Sequence, residues 1–148
     1  MLKGEETVVD VNKIVKSLKK SIDYSSEAKE YSKSANDYYI RWFSEFSEQT
    51  AIIIVGCGKN GRILSSIFQA NNDLNKVKCF VDNDIRCQGK MIDGLAVLSL
   101  SEAQRQFPNS YYVITAMKYE NELMRQLLNE GIGIEKICVF IPQYAGII

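Results

Sequence analysis

The stretch that decides the fold is "IIIVGCGKNGRIL", residues 52–64. An apolar run of strand character ends at a glycine, and a segment with the apolar spacing of a helix begins at the third glycine. In the pattern Gly-x-Gly-x-x-Gly, Gly56 permits a tight turn, Gly58 lets the backbone approach a phosphate, and Gly61 lets the helix pack on the strand. The free N–H groups at the start of the helix also favour an anion. The stretch predicts either a phosphate-binding turn or a plain corner between strand and helix.

An acidic residue favours the phosphate-binding interpretation. Asp82 follows Gly61 by about 20 positions, the spacing at which a carboxylate accepts hydrogen bonds from a ribose. The same carboxylate would repel a 2′-phosphate, so NAD or a nucleotide sugar is expected rather than NADP. The predicted nucleotide-binding residues are Gly56, Gly58, Lys59, Asn60, Gly61, Asp82, Ala116 and Lys118.

From residue 50 to 148, strand-like and helix-like segments alternate, which predicts an α/β domain with a Rossmann-like, doubly wound parallel sheet. Ser101 is expected to open one of the helices, with Gln104 as its capping-box partner. A ligand of such a sheet lies outside the carboxyl ends of the strands. The segment "TAMK" (115–118) should therefore border the site, which is why Ala116 and Lys118 are included.

Residues 1–49 read as an N-terminal helical arm, because their apolar residues follow a helical period and proline is absent. Aromatic residues and alanines together, at alternating spacings of four and three from Tyr24 to Trp42, resemble a coiled-coil seam. The arm could pack on the following domain, form a homodimer, or lie on a membrane surface through its lysines. These alternatives stay open on the sequence.

The composition limits the classes of partner. Lys plus Arg and Asp plus Glu both total 18, so no net charge attracts the chain to nucleic acid, and no nucleic-acid partner is expected. The apolar runs are far shorter than the roughly 20 residues of a membrane span. The first residues lack the apolar centre of a signal peptide, which predicts a cytoplasmic protein.

Histidine is absent, and none of the tyrosines is followed by a lysine four residues later, as in short-chain sugar dehydrogenases. No catalytic residue can therefore be assigned. The four cysteines form no CxxC pair, so they are interpreted as free thiols, no metal site is expected, and Cys57 is either a redox-sensitive thiol or simply a small residue. A binding module is the first hypothesis. The alternatives are a sugar-nucleotide oxidoreductase or epimerase component completed by a catalytic partner, an S-adenosylmethionine-dependent methyltransferase-like domain, and a ligand-free scaffold.

Three segments carry a resemblance to known families: "VGCGKNGR", "FVDNDIRCQGKMIDGLAVLSLSEA" and "YYVITAMKYENELMRQLLNEGIGIEKICVF". Together they resemble the Rossmann-type domain at the front of bacterial polysaccharide-biosynthesis dehydratases and sugar acyltransferases. They are also similar to the NAD-binding domain of Rex-type redox-sensing repressors. The resemblance spans about residues 50–142 and implies a nucleotide-binding role in cell-surface polysaccharide metabolism. The arm lacks the short turn and basic recognition helix of a repressor's winged helix.

Overall fold

The computed structural model describes residues 43, 46–47, 49–116 and 118–140, and Phe46–Phe140 forms one compact unit. The strands of this unit are β1 (Ile52–Val55), β2 (Val77–Val81), β3 (Met91–Ile92), β4 (Leu95–Leu98), β5 (Tyr111–Ile114) and β6 (Ile137–Val139). Its α-helices are α1 (Lys59–Ala70), α2 (Leu100–Gln106) and α3 (Glu120–Asn129). Short 3-10 turns precede β2 and β6, at Leu74–Lys76 and Ile134–Lys136.

The six strands form one sheet in the order β3-β4-β2-β1-β5-β6, and every neighbouring pair is parallel except β3 and β4. The chain moves from β1 to β2 on one side and later returns to β5 on the other side of β1. The strand order thus reverses between β1 and β5, and ligands of open α/β sheets bind at such a reversal. The predicted α/β class with a Rossmann-like, mostly parallel sheet is confirmed.

The alternation of side chains along β1 assigns its residues to two faces of the sheet. Ile53 and Val55 belong to a core cluster with Leu100 and Ala103 of α2 and Leu127 of α3. α1 links β1 to β2, and this connection runs along the sheet in the direction opposite to those that contain α2 and α3. Because such connections are right-handed, α1 lies on the face of the sheet opposite to α2 and α3. All four side chains of β1 are buried, as expected of a strand covered on both faces.

Two local features differ from the sequence interpretation. The cap of α2 is Ser99, whose side chain accepts a hydrogen bond from the N–H of Glu102, so the prediction of Ser101 with Gln104 as its partner is wrong. Ser99 and Glu102 have the same capping-box spacing, and Ser101 lies inside the helix. The hairpin of β3 and β4 was not predicted as two strands; its turn residues Asp93 and Gly94 both have positive φ, which is typical of a type I′ turn.

The predicted arm, residues 1–49, lies almost entirely outside the described residues, so its packing and its dimer seam stay predictions. Within the described part of the chain, no helix is long and apolar enough to cross a membrane.

Candidate functional site

The glycine turn, residues 56–61, leads from the end of β1 into the first turn of α1. It lies where the order of strands in the sheet reverses. Gly56 has a φ of +107°, and a Cβ atom at this position would lie 2.7 Å from Oγ1 of Thr115. A Cβ at Gly61 would overlap the carbonyl oxygen of Gly56. The first and third glycines are therefore required by the packing of the chain itself, as the pattern predicts.

Gly58 differs from the other two glycines of the turn. Its φ of −81° is accessible to any residue, and a Cβ at Gly58 would meet no other protein atom within 4 Å. Gly58 is exposed and forms the N-cap of α1 without any side chain to satisfy the first N–H groups of the helix. The fold of the described residues therefore gives no reason for glycine here, whereas close approach of a ligand to the backbone would give one.

Asp82 lies directly after β2 and contacts the glycine turn. Its Oδ2 accepts a hydrogen bond of 3.1 Å from the N–H of Cys57, and its Oδ1 accepts one of 2.9 Å from the N–H of Asp84. Each carboxylate oxygen can accept a second bond, so these contacts leave capacity for a ribose hydroxyl. The structure brings Asp82 and the glycine turn together, as the spacing suggested, and shows that the carboxylate also stabilises the turn.

The end of β5 forms the other side of the turn. The hydroxyl of Thr115 donates to the carbonyl oxygen of Val55 at 2.8 Å and lies 3.2 Å from that of Gly56. The side-chain amide of Asn60 donates to the carbonyl oxygen of Thr115 at 3.1 Å, which ties the first turn of α1 to β5. Ala116 is half-buried. It lies next to Gly56, since a Cβ atom placed at Gly56 would be 3.5 Å from the Cβ of Ala116.

The two predicted lysines lie farther out. Lys59, in the first turn of α1, and Lys118, just after the end of β5, are both exposed. The Nζ of Lys118 lies 5.7 Å from the ring centre of the neighbouring Tyr119, as expected of a solvated lysine resting on an aromatic ring. Both lysines flank the end of the sheet that carries the glycine turn, and neither side chain has a described contact with the turn.

The Cys57 thiol is buried between two glycines of the turn. Burial, followed by the hydrogen bond and negative charge of Asp82, raises the pKa of Cys57 to about 12. The thiol is therefore protonated at neutral pH, and a protonated thiol is a poor nucleophile. The interpretation of Cys57 as a small residue that fits the turn agrees better with this environment than that of a reactive thiolate.

Two residues of the site were missed on the sequence. The sequence placed Thr115 only in a bordering segment, although its hydroxyl contacts the carbonyl oxygens of Val55 and Gly56, where β1 ends and the turn begins. Gln88 donates from Nε2 to the carbonyl oxygen of Asp82 at 2.8 Å and so holds the segment after β2. A threonine directly after a buried strand was a weak indication for the first, and no pattern indicated the second.

The fold and the glycine turn define a Rossmann-like domain with a candidate nucleotide site at the reversal of the sheet. A family model described as "C2185-like, N-terminal" matches residues 48–138, which is more than half of the chain. The chain belongs to this family.

Two further proteins are similar to the chain. The redox-sensing transcriptional repressor Rex 2 of Enterococcus faecalis (strain ATCC 700802 / V583) is 38% identical over 71 residues, which are 45% of this chain and 33% of that protein. The match thus spans about a third of the repressor's length. The crystal structure of RSP, a Rex-family repressor, superposes with a TM-score of 0.50 at 12% identity, over 96% of this chain and 81% of that one. At this identity the likeness shows the fold alone.

These comparisons confirm the similarity to Rex-type repressors and give no support to that with polysaccharide-biosynthesis dehydratases or acyltransferases. The prediction that nucleic acid is not among the partners is contradicted as well, since the Enterococcus faecalis relative is named as a repressor of transcription. That prediction used the balanced net charge, which is an average over the whole chain and does not describe local patches.

Proposed function

We propose that this chain is an NAD(H)-binding module that acts in the control of transcription. The observation that carries the proposal is Gly58, the glycine of the turn that the described fold does not itself require. Its N–H and those that follow it at the start of α1 are suited to a pyrophosphate, while Asp82 is suited to a ribose. The Enterococcus faecalis relative is named as a redox-sensing repressor of transcription, which supports NAD(H) as the ligand and transcription as the process that the module controls.

The first experiment measures nucleotide binding. Calorimetric titration should detect NADH or NAD, and NADPH should bind more weakly because its 2′-phosphate would face the Asp82 carboxylate. UDP-glucose and S-adenosylhomocysteine are the comparison ligands for the sugar-nucleotide and methyltransferase hypotheses. If neither NADH nor NAD binds at millimolar concentration, the proposal is wrong.

A substitution at Gly58 separates ligand binding from folding. We expect Gly58→Val to weaken NADH binding at least tenfold, about 1.4 kcal/mol, because its side chain would occupy the space beside the backbone N–H groups. The unfolding midpoint should change little, since a Cβ at this position meets no protein atom within 4 Å. Gln69→Val, at an exposed position in the last turn of α1, is the matched control and should bind NADH normally. Normal NADH binding by Gly58→Val would mean that no ligand approaches the backbone at this glycine, and it would contradict the proposal.

The regulatory part needs a separate test. The tagged full chain would be expressed in its source cells, and the DNA cross-linked to it would be sequenced at high and low ratios of NADH to NAD. We expect enrichment of particular promoter regions that changes with the ratio. An unchanged, featureless profile would refute the role in transcription and leave nucleotide binding to stand on the calorimetry.

A further inference from the structure

Two cysteines far apart in the sequence meet the carboxylate of Asp82. Cys57 lies in the glycine turn, and Cys87 lies in the segment that connects β2 to β3. The two Sγ atoms and a carboxylate oxygen of Asp82 all lie within 4.8 Å of one another. In the described part of the chain, this is the one group of three such side chains close enough to share an ion.

The backbone around these three side chains is held by hydrogen bonds that leave their ligand atoms close together. The N–H of Cys57 donates to Asp82, and so does that of Asp84, which fixes the carboxylate between the turn and the connecting segment. The N–H of Cys87 donates to the carbonyl oxygen of Asp84 at 2.9 Å, and its own carbonyl oxygen accepts from Lys90 at 3.1 Å. A site whose backbone is already ordered loses less conformational entropy when an ion binds.

We propose that Cys57, Asp82 and Cys87 bind a thiophilic divalent cation, for which Zn²⁺ is the model ion. Two sulfur ligands and one carboxylate favour zinc-like ions over Mg²⁺ or Ca²⁺, which prefer all-oxygen sites. Because Zn–S bonds are about 2.3 Å long, two thiolates on one tetrahedral zinc lie about 3.8 Å apart. Because the ligand atoms already lie within 4.8 Å of one another, side-chain rotations that move the sulfur atoms by at most about 1 Å reach this geometry.

Binding forms two metal–sulfur bonds and one metal–oxygen bond, while the two thiol protons pass to the solvent and no atom changes its oxidation state. The fourth position is open to water. Neither cysteine belongs to a CxxC pair, so no metal site was expected from the sequence. The fold brings the two cysteines close together although they are far apart in the sequence.

The cation site shares Asp82 with the proposed ribose contact. A cation bound to Asp82 occupies a lone pair of the carboxylate and neutralises its negative charge. The carboxylate is then a weaker acceptor for a ribose hydroxyl, so the cation should lower the affinity for NADH. This coupling rests on the proposed function, whereas the cation site itself does not.

The test replaces zinc by Co²⁺, whose thiolate complexes absorb in the near ultraviolet and, when tetrahedral, in the visible. The full chain is titrated with Co²⁺ in the presence of a phosphine reductant that keeps the thiols reduced. We expect a saturable sulfur-to-cobalt band with one equivalent, displaced by Zn²⁺. The intensity of this band should fall by at least half in Cys57→Ser and in Cys87→Ser. It should be unchanged in Cys138→Ser, whose substitution lies on β6.

Circular dichroism establishes that each variant is folded, and Cys87→Ala serves if the serine variant is not. Absence of the band in the folded wild-type chain, or its full retention in both Cys57→Ser and Cys87→Ser, would overturn the proposal. For the coupling, Zn²⁺ should weaken NADH binding at least threefold in the wild type and leave it unchanged in Cys87→Ser. If NADH does not bind at all, the proposed function fails, and the cobalt spectrum still decides the cation site.

Discussion

Removal of the Asp82 carboxylate should destabilise the fold even without any ligand. In Asp82→Ala, the N–H groups of Cys57 and Asp84 lose acceptors at 3.1 and 2.9 Å. A hydrogen bond to a charged group contributes about 1.5–3 kcal/mol, and an N–H left unsatisfied in a buried site costs about as much. Cys57 is buried, so its N–H gains little from water, whereas that of Asp84 is partly exposed and recovers most of its loss. The free energy of unfolding should therefore fall by about 2–3 kcal/mol.

The assay is urea denaturation followed by circular dichroism, together with a thermal melt, in which the midpoint should fall by roughly 4–12 °C. Asp84→Ala is the matched control, because Asp84 is the next carboxylate along the chain and its main partner is the exposed Arg86. Its side chain makes a further, weaker contact with Cys87 and none with the backbone of the glycine turn among the described contacts. This variant should change the stability little. If Asp82→Ala is as stable as Asp84→Ala, the Asp82 carboxylate does not stabilise the turn, and the expected loss of about 2–3 kcal/mol is refuted.

Three further predictions concern stability and assembly. Gly61→Ala should lower the free energy of unfolding by about 1–3 kcal/mol in urea denaturation, because its Cβ overlaps the backbone of Gly56; equal stability of Gly58→Ala and Gly61→Ala would contradict this. Burial raises the pKa of Cys79 from 9.0 to about 12, so the folded state retains a proton that the unfolded state loses. The free energy of unfolding should therefore fall above pH 9, by up to about 1.4 kcal/mol per pH unit from this thiol. It should fall less steeply with pH in Cys79→Val, and an equal slope in the wild type and the variant would contradict the prediction. Sedimentation equilibrium should show a homodimer if the arm forms a seam, and a monomer at micromolar concentration would exclude it.

The regulatory proposal changes how the composition should be interpreted. A chain with 18 basic and 18 acidic residues carries no overall attraction to DNA, yet the similar proteins are repressors. A net charge describes long-range attraction and solubility, and it says nothing of a local patch or of a separate segment that contacts DNA. The nucleotide hypothesis depended on placed residues rather than on an average, and it remains the basis of the proposed function.

The sequence by itself determined the alternation of strands and helices, the turn between β1 and α1, and the placement of Asp82 after β2. These follow from short-range rules, since buried parallel strands, a glycine at positive φ and the length of one βαβ unit all leave local patterns. Gly56 and Gly61 have the roles that their spacing predicts, because the packing of a helix on the preceding strand is itself local.

Only the tertiary structure decided what comes from distant segments. The hydroxyl of Thr115 on the β1 turn and the Cys57–Asp82–Cys87 cluster depend on the order of strands in the sheet. That order sets which strand ends are neighbours, and no local pattern records it. The double use of Asp82, as a support of the turn and as the proposed ribose contact, could likewise be seen only once its carboxylate was placed beside the N–H of Cys57.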